Sequence, residues 1–332
     1  ADWNIGLTLA WSVPVAGVAQ FAFVWVAAHR AGFTLVPRLP RMTPELKRLA
    51  MIAAPAALAG GVVQVNLVVG RQIASYFEGA NAWLYYADRL YQLPLGVVGI
   101  AVGIVLLPDL SRRLRLDDTV GAREAFNRTA EFSLLLTIPS AVALLVIPTA
   151  LVSVLFERGA FGASDTAATA LATAIYGLGL PAFVLQKLYQ PLFFAREDTK
   201  SPFYFALVAL AVNAAIAIGL SPYVGFTASA YGATFAGWAM LACLWWGSRK
   251  FGDAARLDAR LRAKSWRIVL ASLMMGVAIW LTATVLGPQL QVPSSRVLAL
   301  IIILAIGIVS YGIACCMTGA LTFSELRRRM RR

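Results

Sequence analysis

Arg89 lies inside an apolar run, Ala82 to Leu107, long enough to cross a membrane, where an uncompensated charge costs at least about 2.5 kcal/mol. A guanidinium at that depth faces a partner or a watery cavity, and its planar fork suits phosphate, whose oxygens it can hold two at a time. Helical spacing adds to this: Tyr85, Arg89, Gln92 and Gly96 fall at i−4, i, i+3 and i+7, one polar stripe along one helix. Asp88 is next in sequence but points about 100° away, so its expected partner lies on another helix. The plainer reading of Arg89 is an ion-pair member that only fixes packing; a substrate phosphate is the sharper one.

Three further polar residues stand within apolar runs. Lys187, near Gln186 and Gln190, either lines a cavity or snorkels to the interface on its long stem. Asn66 and Asn213 could hydrogen-bond between helices or help coordinate a cation, the first being commoner. Catalysis has little to draw on. The single histidine, His29, stands at a span end beside Arg30, and there is no metal-ligand spacing, phosphate-cradling glycine loop or serine elbow. Cys243, Cys315 and Cys316 all fall in apolar runs, where they act as small apolar residues and imply neither disulfide nor metal.

The elements that must position these residues follow from composition. Of 332 residues, 60% are hydrophobic and 14% charged, against about 25% charged in a soluble domain. The apolar residues form long runs, and nine are predicted to span: Leu7 to Ala28, Leu49 to Gly70, Ala82 to Leu107, Phe132 to Leu155, Ala167 to Phe194, Phe203 to Leu220, Phe226 to Trp246, Ile268 to Leu286 and Val297 to Thr318. The expected fold is an all-α polytopic transmembrane helix bundle. Prolines inside several runs are tolerated where neighbouring helices re-satisfy the backbone.

The net charge of +13 is not a nucleic-acid footprint, because nearly all 29 lysines and arginines fall in five segments on one side of the predicted membrane. That alternation predicts an outside N-terminus and a cytoplasmic C-terminus. It leaves Ala1 outside with no initiator Met, so upstream sequence is expected. Thr43 with Pro44, and Ser201 with Pro202, read as N-caps with proline in the first turn. Phe251, Leu257, Leu261 and Trp266 are expected to share a basic amphipathic helix with Arg256, Arg260, Arg262 and Lys264, anchored on an anionic leaflet.

Three stretches carry a family resemblance: YYADRLYQLPLGVVGIAVGIVLLPDLSR (Tyr85 to Arg112), LFERGAF (Leu155 to Phe161) and FFAREDTKSP (Phe193 to Pro202). In these the chain resembles the MurJ (MviN) lipid II flippases of the multidrug, oligosaccharidyl-lipid and polysaccharide exporter superfamily. The resemblance implies two six-helix lobes around a cavity and a final helix pair, with the nine spans here matching the sixth to the fourteenth. On that reading residues 1–30 are the last helix of a truncated N-terminal lobe, 31–48 a cytoplasmic connection, and 49–248 the six-helix C-terminal lobe. Residues 249–267 are a basic connection, 268–318 two extra helices forming a lipid-tail groove, and 319–332 a basic tail.

The implied activity is transfer of lipid II, the undecaprenyl-pyrophosphate-linked peptidoglycan precursor, from the inner to the outer leaflet of the bacterial cytoplasmic membrane by alternating access. Arg89 would map onto the second lobe's cavity arginine and hold the pyrophosphate. Tyr85, Gln92, Asp88 and Lys187 would be its neighbours at the substrate. The family's other cavity arginines lie in spans this sequence lacks, so the missing N-terminal lobe is an implied partner, with lipid II and membrane lipids, and the fragment is not expected to flip lipid alone. No cofactor is implied. Membrane potential or a monovalent cation would drive the cycle, and Asn66 and Asn213 offer no carboxylate to a sodium site. The alternatives are another exporter of the superfamily, moving drugs or polysaccharide lipids, a membrane enzyme of lipid-linked sugar metabolism, and a non-transporting scaffold.

Overall fold

The computed structural model describes residues 2–33, 42–102, 106–292 and 294–320, and among these the chain is all-helical, without a strand. It divides into two compact units, Ala1–Ala50 and Met51–Arg332. In chain order the helices are α1 (Asp2–Arg30), α2 (Pro44–Ala74), α3 (Ala80–Ala101), α4 (Leu107–Arg115), α5 (Thr119–Val146), α6 (Pro148–Phe156), α7 (Ala163–Phe194), α8 (Lys200–Val224), α9 (Thr227–Ser248), α10 (Ala259–Val285), α11 (Gly287–Gln291) and α12 (Arg296–Thr318).

The first unit holds α1, which is predominantly apolar and ends on His29 and Arg30, and the opening of α2. Thr43 caps α2 as predicted, its Oγ1 accepting from the Leu46 N–H at 3.2 Å. Pro44 follows in the first turn, where a missing N–H leaves no partner unsatisfied.

The second unit is built around α7, whose Leu180, Leu188, Leu192 and Phe193 are completely covered. Helices α3, α5, α6 and α9 pack on it, α8 pairs with α9, and α10 pairs with α12 against α5. On the outward side of α10 and α12, Trp280, Val285, Ile308, Val309 and Met317 are exposed. An apolar exterior on a packed interior is what a lipid solvent requires. The α7–α9 seam is held by small residues and side chains that reach backbone carbonyls. Thr234 Oγ1 donates to Ile175 O at 3.0 Å, Gln186 Nε2 to Gly237 O at 2.7 Å, and Trp238 Nε1 to Leu178 O at 3.1 Å.

Between α8 and α9 a Cβ on Gly232 would sit 2.4 Å from Asn213 Oδ1 and 3.0 Å from the Ala217 Cβ. Gly232→Ala should therefore lower stability by about 1 to 3 kcal/mol through overpacking. The melting temperature of the purified variant in detergent checks this, and an unchanged value would mean that the two helices separate there without cost.

Helices stand at all nine predicted span positions. Six of them, α1 from Gly6, α5, α7, α8, α10 and α12, are long and apolar enough to cross a membrane. Helices α2, α3 and α9 are not among those six, and each contributes polar or small residues to one cavity of the bundle.

Four details differ from expectation. In the third span the regular α-helix ends at Ala101 and α4 opens at Leu107, with Pro108 in its first turn; Val102 and Leu106 remain helical, and residues 103–105 lie outside the described residues. The fourth begins at Thr119, ahead of its apolar run from Phe132, and breaks before Pro148, at Ile147 (φ −125°), since proline can neither donate nor tolerate the carbonyl one turn back. Ser201 is not the cap of α8, which starts at Lys200. Asp198 plays that part, accepting from the Ser201 N–H at 3.0 Å and hydroxyl at 2.7 Å.

The basic connection is likewise not one amphipathic helix. A 3-10 turn over Arg249–Ala255 breaks at Arg256, and α10 starts after Asp258, whose carboxylate caps Leu261 N–H at 2.6 Å. Much of its charge is satisfied within the protein. Glu131 on α5 accepts from Lys264 Nζ at 2.6 Å and Arg128 Nη1 at 2.9 Å, with Arg260 Nε 3.3 Å away, while Arg128 also reaches Asp258 at 2.8 Å. Phe251 and Leu257 pack on the core. The predicted tail beyond residue 320 lies outside the described residues.

Lys250 Nζ ties this turn to the α7–α8 connection, 2.7 Å from Asp198. Burial pushes the Asp198 carboxyl up, but bonds from Lys250 and from the Ser201 amide and hydroxyl outweigh it and hold the group below the usual carboxylate range. A depressed folded value gives stability that is present above the unfolded value, about 3.9, and is lost as pH falls through the folded one. Protection of the Ser201 amide from hydrogen exchange, corrected for intrinsic rates, should therefore drop on acidification below about pH 4. Asp198→Asn should remove that pH dependence; a variant that keeps it would assign the effect elsewhere.

Candidate functional site

The stripe read from the sequence rests on a helix that is fixed at three points. Gly79, at φ +80°, turns the chain into α3 through a left-handed conformation that glycine adopts without strain. Trp83 Nε1 donates to Asp165 Oδ1 at 2.7 Å, and Asp165 also accepts the Gly162 N–H at 2.9 Å, which pins the start of α3 to the start of α7. Tyr86 packs against Phe156 and Phe161 of the LFERGAF stretch, with centroids 4.8 and 5.3 Å away, and Tyr91 packs on Tyr176 and Phe183 at 5.1 and 5.3 Å. With Leu84, Ala87, Leu90 and Val98 buried, one face of α3 is locked against α7.

The opposite face carries the polar stripe. Tyr85, Arg89 and Gly96 are exposed and Gln92 half-buried, and a Cβ on Gly96 would meet nothing within 4 Å. Arg89 is not locked in dry packing. Its guanidinium stacks over the Tyr85 ring at 4.7 Å, and Nη1 donates to Gln92 Oε1 at 3.3 Å. Asp88 makes its hydrogen bonds within its own helix, where Gln92 Nε2, one turn on, donates to its Oδ2 and Tyr91 also bonds to it, while from another helix it has the charge of Arg71 on α2.

Beside this face lies a cavity of about 620 Å³, walled by Asn66, Arg71, Tyr85, Asp88, Asn213 and Ser229 among others. Asn213 Nδ2 donates to Asn66 Oδ1 at 2.6 Å and to Asn66 O at 3.3 Å, an interhelical bond of the kind expected of this pair. The fold thus gathers Tyr85, Asp88, Asn66 and Asn213 around one space, with Arg89 on the adjoining face rather than in the cavity wall. Lys187 is not part of that wall. It is exposed on α7, and the neighbouring Gln186 is committed to the α9 backbone.

Sequence reasoning missed Arg71 and Ser229. Arg71 stands at the end of α2, where an interfacial arginine is ordinary, and Ser229 declares itself only through its bond to Gly70 O at 3.0 Å. No spacing in the sequence would have marked either.

A model of the family described as lipid II flippase MurJ matches residues 1–306. The chain is 44% identical over 328 residues to a probable lipid II flippase MurJ of Rhizobium tropici, covering 98% of this chain and 61% of that protein. To the corresponding protein of Rhizobium meliloti it is 43% identical, covering 99% and 62%. Among solved structures, a lipid II flippase MurJ in an inward closed conformation superposes with a TM-score of 0.68 at 25% identity, over 89% of this chain and 57% of that one. The chain therefore spans about three-fifths of the length of the curated relatives it matches.

Proposed function

Because this chain belongs to the lipid II flippase MurJ family, we propose that it is the part of a multi-pass lipid flippase that grips the anionic head of lipid II through Arg89. The observation that carries this reading is the guanidinium itself. It is held on the open face of a rigid helix, over an aromatic ring, with donors left for an anion. Pyrophosphate offers the paired oxygens that such a fork accepts.

With an N-terminal lobe, the whole protein carries the precursor from the inner to the outer leaflet of the bacterial cytoplasmic membrane by rocking one lobe against the other. The concentration of basic residues in five segments supports a cytoplasmic position for the connection 249–267 and the C-terminus. The pair α10 and α12, apolar along its outward side, takes the polyprenyl tail. Membrane potential drives the anionic head outward, or a monovalent cation does so near Asn66 and Asn213. Lys187 serves the head group only as a distant positive charge.

Complementation tests the proposal. The full-length protein, supplied to cells depleted of their own flippase, should restore growth and lipid II translocation. Survival without translocation, or neither, would transfer the chain to another cargo within the exporter superfamily.

A further inference from the structure

We propose that Asp88 is a positioning residue: it contacts no substrate but orients Arg89 through the side chain of Gln92. The inference rests on Arg89 gripping an anion and adds how that grip is set.

A carboxylate only accepts hydrogen bonds and a guanidinium only donates them, whereas a carboxamide does both from opposite ends. Gln92 lies one turn from both Asp88 and Arg89, and its two ends are divided between them: Nε2 donates to Asp88 Oδ2, and Oε1 accepts from Arg89 Nη1 at 3.3 Å. The amide has one orientation that satisfies both neighbours, since turning it over would set an N–H against the guanidinium and an oxygen against the carboxylate. Asp88 therefore decides which end of Gln92 faces Arg89. The Tyr85 ring, 4.7 Å from Arg89 Cζ, fixes the plane of the guanidinium, and Gln92 fixes its rotation within that plane. All four groups spring from α3, and Asp88 is held there by Tyr91 of the same helix as well, with Arg71 of α2 as the charge facing it across the cavity.

Asp88 also faces the cavity lined by Arg71 and Tyr176, half-buried and on the inner side of the helix relative to Arg89. A negative charge so close to an anion site weakens binding by simple electrostatics. The two roles consequently predict opposite signs. If Asp88 were only a nearby charge, Asp88→Asn would tighten anion binding; if it orients Arg89, the same change loosens it, because an asparagine amide can turn over and release Gln92 from its one orientation.

The experiment uses the purified chain in nanodiscs of neutral lipid, with farnesyl pyrophosphate as the probe and farnesol as the uncharged control. Asp88→Asn should weaken pyrophosphate binding about fivefold, the scale of one ordinary intramolecular hydrogen bond, and leave farnesol unaffected. In a Gln92→Leu background, itself weakened to the same degree, Asp88→Asn should add nothing, because the relay is already cut. Asp88→Glu, which keeps an acceptor, should recover part of the loss.

Tighter binding by Asp88→Asn, or a full loss on top of Gln92→Leu, would overturn the proposal while leaving the Arg89 reading intact. Should Asp88→Asn fail to fold, Gln92→Leu carries the test alone: undiminished affinity there, with an unchanged melting temperature, also overturns it. Binding that is indifferent to Arg89→Ala would remove the underlying reading and the proposal with it.

Discussion

Arg89→Ala should reduce affinity for pyrophosphate-bearing lipid about a hundredfold, the usual result of removing one partner from a hydrogen-bonded charge pair. In the full-length protein it should abolish rescue of cells depleted of their flippase. Arg89→Lys separates charge from shape. Lysine keeps the positive charge at the same depth but presents a point rather than a fork, and it cannot lie flat over the Tyr85 ring as the guanidinium does. An intermediate loss of about tenfold is the expected outcome. Variants that melt earlier but bind and transport normally would reduce Arg89 to a packing element, and the anion-binding reading would have to be given up.

Glu131→Ala should be among the strongly destabilising changes in the larger unit. Its carboxylate is the shared counter-ion of Lys264, Arg128 and Arg260, and both Glu131 and Lys264 are largely covered, with side chains 13% and 8% exposed. Removing it takes a shared counter-ion from a buried ammonium and two guanidinium groups, at a cost of about 3 to 5 kcal/mol. Thermal unfolding in detergent should show the loss as a fall of several degrees. Because paired charges in a dry setting do little more than offset their own desolvation, replacing Glu131 by leucine and Lys264 by methionine together should recover most of it. A double variant no better than the single one would show that the ion pair itself, rather than the loss of one counter-ion, sets stability here.

The long apolar runs made the helices legible, and the period of α3 made its polar face legible, because both depend on residues close in sequence. Thr43 and Pro44 were equally plain for the same reason. The Glu131 cluster was not, since Lys264 and Asp258 come to it from more than a hundred residues away and look in sequence like ordinary interfacial charges. The expected basic helix over 251–266 mistook partly internal ion pairs for a lipid-facing surface, and its break at Arg256 follows from Asp258 capping the next helix. Asp88 was assigned to another helix on its angle from Arg89 alone, although Gln92 stood one turn away. The spans of α2 and α9 were legible as apolar runs, but the part their polar and small residues play became visible only with the cavity they wall.

Tyr85, Asp88, Arg89 and Gln92 occupy about two turns of a single rigid helix. Whatever tilt or translation that helix undergoes, the four move as one piece, like a hook forged onto its shank. Loading and unloading then cannot come from deforming the hook. They must come from what the rest of the molecule opens or closes in front of it.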